Sequence, residues 1–224
     1  MAKPQKSPLK TKSSSKKAKS VPATPLFDRE LHPIEFGRVV ALSDGVFAIA
    51  LTLLVLDLAL PIGAAEGTLF QELIARQAHF GAFAISLLFV GSAWWSHHHL
   101  FSILQGVNGL LTAMNIFYLG LVALLPFVQG VLAAYPSEPL SYAVFAAVLT
   151  AIGTIDLVIF MYARSRNLLR SYVSDRMSRI EILASAAFSL TFLVSIPLAY
   201  LIGPYVVLIW VVWPFVGLWI WENL

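Results

Sequence analysis

From Phe36 onward the sequence consists of apolar segments that are each long enough to cross a lipid bilayer. A membrane-spanning helix needs about twenty predominantly apolar residues. Five segments of this kind run over 36–60, 74–95, 110–134, 140–162 and 180–201, and a sixth follows Gly203 and Pro204. Only 12% of the residues are charged, about half the share in soluble domains. Because the backbone must satisfy its own hydrogen bonds in lipid, and because no segment has the short alternation of a barrel strand, the sequence predicts an all-α integral membrane protein with six transmembrane helices.

The basic residues are confined to two places along the chain. All seven lysines lie within the first twenty residues, and five of the eight arginines lie between Arg164 and Arg179. Basic blocks that flank apolar spans are typical of cytoplasmic segments. We therefore expect a multi-pass protein with both termini in the cytoplasm. We expect the basic residues to meet anionic membrane lipid to a small extent and no nucleic acid.

Residues 1–30 differ from the rest of the chain. They are rich in Lys, Ser and Pro and contain few residues to bury, so they are predicted to form a disordered basic cytoplasmic tail. The first apolar run begins only near Arg38, too late for a cleavable signal peptide. Residues 31–224 form the predicted six-helix membrane domain. The tail itself is either a tether to lipid or to a partner, or a solvated arm that only enforces the topology.

Three polar residues stand at the start of the first span. Arg38, Ser43 and Asp44 are costly inside a membrane, which favours a functional or strongly structural role. Arg38 and Asp44 are six residues apart, so they point about 120° away from each other around a helix. Each is therefore expected to find its partners on other helices. Asp44 either contacts an ion or is held by hydrogen bonds as a packing constraint.

An apolar stripe continues along the same span. Ile49, Thr52, Leu53 and Leu56 follow the i, i+3, i+4, i+7 spacing of one helix face. In a monomer such a stripe is ordinary packing. Around a symmetry axis, apolar rings can gate a pore by constriction and dewetting.

Three stretches of the sequence resemble a known family. Residues 38–58, RVVALSDGVFAIALTLLVLDL, resemble the first-helix signature of the transmembrane protein 175 family of potassium channels. Arg38, Ser43 and Asp44 match its polar positions, while Leu42 stands where the family usually has Phe. FVGSAWWSHHHLF resembles the end of the family's second helix, and NIFYLGLVALLPFVQGVL resembles its third helix.

The resemblance implies a potassium channel of the bacterial type, with one six-helix unit per subunit. Such subunits form homotetramers in which the first helices line a central cation pathway without a carbonyl filter. The family's apolar constriction then falls at Ile49 and extends to Leu53 and Leu56, and Thr52 offers hydroxyl oxygens to a partly dehydrated potassium ion. No cofactor is implied, and the location is the bacterial plasma membrane. Consistently, the sequence contains no TVGYG loop.

The same resemblance implies that Arg38, Ser43 and Asp44 form an interhelical network. A histidine at the end of the second span, with His98 as the candidate, joins this network. A metal site is not expected, because His97, His98 and His99 are consecutive and diverge by about 100° each on a helix. An interfacial cap without a role in permeation is the alternative for this run.

Two further acidic residues lie within the predicted spans. Asp57 stands near the outer end of the first span, where a ring of carboxylates would attract cations, although it could also simply mark the helix end. Asp156 lies deep in the fourth span, with Arg38 or Asn115 as possible partners.

The intramembrane carboxylates are also compatible with a class of protein other than a channel. A proton-coupled secondary transporter would use Asp44 or Asp156 as the proton carrier. An enzyme is not expected, because the sequence has neither a G-x-S-x-G nor an H-E-x-x-H motif.

Overall fold

The structure, a computed structural model, describes residues 33–58 and 69–213, and both ranges are almost entirely helical. The basic tail 1–30, the first loop and the end of the chain fall outside the described residues. The helices are α1 (Pro33–Leu54, followed by a 3-10 turn at Val55–Leu58), α2 (Leu69–Ala75), α3 (Gln77–Ser102), α4 (Gly109–Ala123), α5 (Leu125–Ala134), α6 (Pro139–Ser165) and α7 (Asp175–Ile202). A second 3-10 turn, Gly203–Val206, leads into helical residues 207–213, here α8.

Five helical stretches of the described chain are long and apolar enough to cross a membrane. They cover Glu35–Leu58, Gln77–Ser102, Gly109–Ala134, Pro139–Ser165 and Asp175–Trp213. The first four correspond to the first four predicted spans, and the last contains both the fifth span and the beginning of the sixth. The prediction of an all-α integral membrane protein is confirmed.

The chain reverses direction between α7 and α8. Gly203 has φ 57° and ψ −133°, a conformation that glycine adopts without the steric penalty of a side chain. Beyond the turn, Nε1 of Trp210 donates a hydrogen bond to Oγ of Ser195 at 3.0 Å, and the ring of Trp213 meets that of Phe188 at 5.7 Å. Since later residues of α8 contact earlier residues of α7, α8 runs back along α7 as the start of a sixth helix.

The third span is broken between α4 and α5. Pro126 has no N–H with which to continue the hydrogen-bond ladder, and the chain passes from α4 to α5 at Leu124. α5 then packs against the end of α1.

The helices pack as two groups, one around α1 and one formed by α6 and α7, which meet through α4 and α5 and, less extensively, through α3. α1 packs against α3, α4 and α5, whereas α6 packs most extensively against α7 and also contacts α4, α5 and α3. Phe89 of α3 joins the groups, because its ring meets Phe145 of α6 at 6.4 Å and Phe192 of α7 at 5.1 Å. α1 therefore lies at one side of the bundle, with one face against the core.

Two loops are joined at the end of the bundle where α1 begins. The backbone N–H of Gln105 donates to Leu168 O, and that of Arg170 donates to Ile103 O, both at 2.9 Å. Nε of Arg170 also donates to Leu104 O at 3.1 Å. The arginine-rich loop between α6 and α7 is thereby fixed to the loop between α3 and α4, and this end is called the arginine end below.

Candidate functional site

The predicted stripe of α1 lies on the outer face of the chain. Ile49 is 60% exposed, Leu53 42% and Leu56 65%, and Thr52 is exposed beside them. The hydroxyl of Thr52 donates to the carbonyl of Ile49 at 2.8 Å, so its oxygen keeps lone pairs for a cation. A single chain thus leaves the whole stripe uncovered.

The opposite face of α1 is held by the rest of the bundle. Phe47, Ala50 and Leu54 are at most 2% exposed. At the far end of the helix, Nε2 of Gln129 donates to the carbonyl of Leu54 at 3.0 Å. This bond satisfies one of the carbonyls that a helix terminus leaves without an internal partner. The rotation of α1 is therefore set by an apolar face along its length and by α5 at its end.

Ser43 belongs to a buried hydrogen-bond chain across three helices, with Asn115 at its centre. The hydroxyl of Ser43 donates to Val39 O at 3.0 Å and accepts from Nδ2 of Asn115 at 3.1 Å. Oδ1 of Asn115 in turn accepts from Nε2 of His97 at 2.8 Å. The His97 ring stacks on Phe101 at 4.2 Å and on Tyr118 at 5.1 Å. We call Ser43, Asn115 and His97 the buried triad.

Asp44 uses a different partner on α3. Its Oδ1 accepts a hydrogen bond from Nε1 of Trp94 at 3.0 Å. The Trp94 ring stacks on His98 at 5.5 Å with an interplanar angle of 28°. His98 is exposed, whereas His97 is 2% exposed. The hydrogen bond that leads to Ser43 therefore comes from His97, and among residues 33–58 and 69–213 the contact of His98 with this region is its stacking on the Trp94 ring.

Arg38 is not brought into these contacts. It is exposed, and within residues 33–58 and 69–213 it forms no hydrogen bond or ion pair. Arg38 lies about one and a half turns before Ser43 on α1, so it is closer to the arginine end than the triad is.

Asp57 is partly buried on the side of the 3-10 turn that faces α5. Its Oδ2 is buried without a hydrogen-bond partner among the described residues. A Cβ atom at Gly130 would lie 4.0 Å from its Oδ1. The carboxylate thus packs against α5 of the same chain, beside the exposed stripe.

Asp156 belongs to a second polar region between α3, α6 and α7. Its Oδ2 accepts hydrogen bonds from Ser96 at 3.5 Å and Ser185 at 3.3 Å, and neither Arg38 nor Asn115 is its partner. Among the described residues no group of three or more His, Asp or Glu side chains is arranged to hold a metal ion.

Sequence reasoning missed the roles of three residues in these contacts. Asn115, Gln129 and Trp94 supply hydrogen bonds that fix α1. The available signal was the cost of an amide inside an apolar span. This cost indicates that Asn115 and Gln129 need hydrogen-bond partners, but it does not identify the partner residues.

Together these features define a class: a multi-pass α-helical membrane protein whose first helix is fixed by polar contacts and leaves an apolar stripe uncovered. The comparisons with known proteins then give the family. The family model described as endosomal/lysosomal potassium channel TMEM175 matches residues 38–126. A potassium channel of Streptomyces collinus is 33% identical over 175 residues, which cover 76% of this chain and 85% of the relative. The chain belongs to the TMEM175 family, as the sequence motifs predicted.

Two further similarities come from Chamaesiphon minutus. A potassium channel of this organism is 32% identical over 147 residues, covering 63% of this chain and 72% of the relative. The crystal structure of a lysosomal potassium-selective channel TMEM175 homolog from the same organism has a TM-score of 0.56 and 25% identity, and the match covers 78% of this chain and 97% of that chain. The likeness therefore extends over nearly the whole of a solved relative.

Proposed function

We propose that this protein is a potassium-selective cation channel and not an enzyme, and that four copies assemble around a pore lined by α1. The observation that carries the proposal is the uncovered stripe of α1, which is apolar, continuous and opposite to a well-anchored face. The names of the relatives in Streptomyces and Chamaesiphon support potassium as the permeant ion. No cofactor is needed for this activity.

In the proposed assembly Ile49 forms the narrowest ring, and Leu53 and Leu56 extend it. Apolar constrictions control conduction because a narrow apolar pore expels water, and an ion must shed part of its hydration shell to pass. The Thr52 hydroxyl oxygens lie on the same face and would replace some of the lost water ligands. The bilayer, potassium ions and three further copies of the chain are the partners of each subunit.

The buried triad and the Asp44–Trp94 pair act as positioning groups in this proposal. Successive residues on a helix differ by about 100° in direction, so a rotation of α1 by one residue would remove Ile49 from the axis. Such a rotation would also break the bonds of Ser43 to Asn115 and of Asp44 to Trp94. The polar groups therefore favour one rotation of α1 about its own axis over a rotation by one residue in either direction. Arg38 stands before this region, where it would face the cytoplasm or a neighbouring subunit.

The charge distribution supports an orientation for the channel. With the lysine tail and the five-arginine loop in the cytoplasm, both termini are cytoplasmic and the arginine end is the inner end. The relatives in Streptomyces and Chamaesiphon support a bacterial plasma membrane as the location. In this orientation Asp57 lies at the outer mouth, about 20 Å along the helix from Asp44 at 1.5 Å per residue.

The test is single-channel recording from purified protein in planar bilayers. Ile49→Asn should wet the constriction, raise the conductance and lower the preference for potassium over sodium. Ile116→Asn is the matched control, because Ile116 is 56% exposed on α4 and is not part of the stripe. Unchanged currents in Ile49→Asn together with altered currents in Ile116→Asn would refute the assignment of the pore to α1.

The same recordings separate a channel from the proton-coupled transporter that Asp44 or Asp156 could serve. A transporter would give saturating flux coupled to a gradient and no unitary current steps. The relatives are named as channels, which does not favour the transporter.

A further inference from the structure

The loop between α6 and α7, together with the first turns of α7, forms a basic surface at the arginine end. Residues 164–179 contain five arginines and one acidic residue, Asp175. All five arginines are exposed. The apolar stretch that contains α7 begins at Asp175, so this surface lies at the level of the lipid headgroups.

Three of the five arginines are engaged within the chain. Arg164 pairs with Asp175 at 3.0 Å, and the guanidinium carbon of Arg166 lies 5.7 Å from the centre of the Tyr162 ring. The third, Arg170, donates from its Nε to a backbone carbonyl of the loop between α3 and α4. Their positive charge remains, but part of their binding capacity is used inside the protein.

Arg176 and Arg179, on the first two turns of α7, are placed differently. Within residues 33–58 and 69–213 neither forms a hydrogen bond or an ion pair. They are three residues apart, so their side chains are neighbours on the helix surface. Relative to the buried Ser178, Arg176 points about 160° and Arg179 about 100° around the helix. Both guanidinium groups are therefore directed away from the bundle.

An uncovered apolar column continues from these two arginines along the same face of α7. Leu183 and Leu190 follow Arg179 by four and eleven residues, and all four side chains fall within about 60° of arc. Leu183 is 60% exposed and Leu190 57%. Since the packing of α7 is mainly against α6, on its other side, this face is open to the bilayer.

A pair of cations above an apolar column is complementary to an anionic phospholipid. Guanidinium groups bind phosphate oxygens through paired, charge-assisted hydrogen bonds, and basic clusters at the membrane surface attract anionic headgroups. The excess of four positive charges in residues 164–179 disfavours a zwitterionic headgroup, whose ammonium it repels. We propose that this face of α7 is a binding site for one anionic glycerophospholipid per subunit. Arg176 and Arg179 hold its phosphate, and an acyl chain lies along Leu183 and Leu190.

Phosphatidylglycerol is the probe, and phosphatidylcholine with the same acyl chains is its zwitterionic counterpart. Glycerol 3-phosphate presents the phosphate without acyl chains and so separates a free anion from a lipid. Binding to the full chain in detergent is measured by native mass spectrometry, which resolves each bound lipid and the number of subunits. The variants are Arg176→Gln and Arg179→Gln, singly and together. Arg76→Gln is the control for each single variant, because it removes one positive charge at the start of α3, the opposite end of the bundle.

We expect phosphatidylglycerol to bind about tenfold or more tightly than phosphatidylcholine, and glycerol 3-phosphate to bind much more weakly than either lipid. Each single variant should weaken binding of phosphatidylglycerol by about fivefold, and the double variant by about tenfold or more, since each arginine contributes to attraction of an anionic headgroup. Arg76→Gln should bind like the unaltered protein.

Equal affinity for the two lipids, unchanged affinity in the double variant, or an equal loss in Arg76→Gln would overturn the proposal. Glycerol 3-phosphate that binds as tightly as phosphatidylglycerol would make this a site for free anions instead. A changed number of subunits with unaltered lipid binding would assign the face to a neighbouring copy of the chain, which also contradicts the proposal. If the double variant does not yield folded protein, the single variants decide. The measurement involves no current, so its outcome is independent of the channel assignment.

Discussion

Replacing Asn115 by alanine should destabilise the protein by removing the centre of the buried triad. Asn115 is 0% exposed and His97 2%. The substitution leaves Nε2 of His97 buried without an acceptor, at a cost of about 1–3 kcal/mol, and removes the hydrogen bond to Ser43, worth about 1 kcal/mol. The free energy of unfolding is therefore expected to fall by about 2–4 kcal/mol. The higher helix propensity of alanine offsets ~0.5 kcal/mol of this loss.

The assay is thermal unfolding of the purified protein in detergent, followed by far-ultraviolet circular dichroism. Thr154→Ala is the control, because Thr154 is exposed and its hydroxyl bonds only within its own helix. This control should change stability by less than about 0.5 kcal/mol.

A double variant tests whether the loss comes from the unpaired ring nitrogen. When both partners of a buried hydrogen bond are replaced by apolar groups of similar shape, no polar atom is left unpaired and stability changes little. Asn115→Leu combined with His97→Phe should therefore recover most of the stability lost in Asn115→Leu alone. The reasoning fails if Asn115→Ala melts like the unaltered protein, or if the two changes of the double variant simply add.

Three further predictions address other contacts. Asp44→Ala should reduce the yield of assembled protein and Trp94→Phe should do so less, as seen by size-exclusion chromatography; a normal oligomer with altered permeation would instead put Asp44 in the ion path. Asp57→Asn should lower inward potassium current at low ionic strength, and the loss should fade near 0.1 M salt, where charges are screened over about 10 Å; equal currents at low salt would limit Asp57 to its contact with α5. Gly153→Ala should lower the melting temperature, because its Cβ would lie 2.5 Å from a ring carbon and 2.7 Å from a hydroxyl of α7, and overpacking costs about 1–3 kcal/mol. Gly120→Ala, with open space at its Cβ, is the control, and a gain in stability in Gly153→Ala would refute the close approach of α6 and α7.

The class and helical organisation of this protein were predictable because they depend on properties of contiguous sequence. Hydropathy and segment length identify a span without knowledge of its neighbours. The turn at Gly203 and Pro204 was likewise visible, since these two residues interrupt a long apolar run and the chain reverses there. The orientation of α1 was partly predictable for the same reason, because the spacing of Ile49, Leu53 and Leu56 places them on one side of a helix.

Hydrogen-bond partners between helices were not predictable from the sequence. Ser43 and Asn115 are 72 residues apart, and Trp94 and Asp44 are 50 apart. Their contacts depend on the rotation and height of each helix relative to the others, which small differences in packing decide. A sequence can say that an intramembrane amide needs a partner, but the partner is chosen by whichever helix lies within about 3 Å.

The histidine run shows most clearly which features the sequence predicts and which ones helix packing decides. His97, His98 and His99 are identical in type and adjacent in sequence, so composition gives no reason to choose among them. Because each is turned by about 100° from the next, His97 faces α4 and bonds to Asn115, His98 is exposed on Trp94, and His99 turns to Glu181 of α7. The sequence determined that three imidazoles stand at this end of the second span. Only the packing of α3 between α4 and α7 decided what each of them contacts.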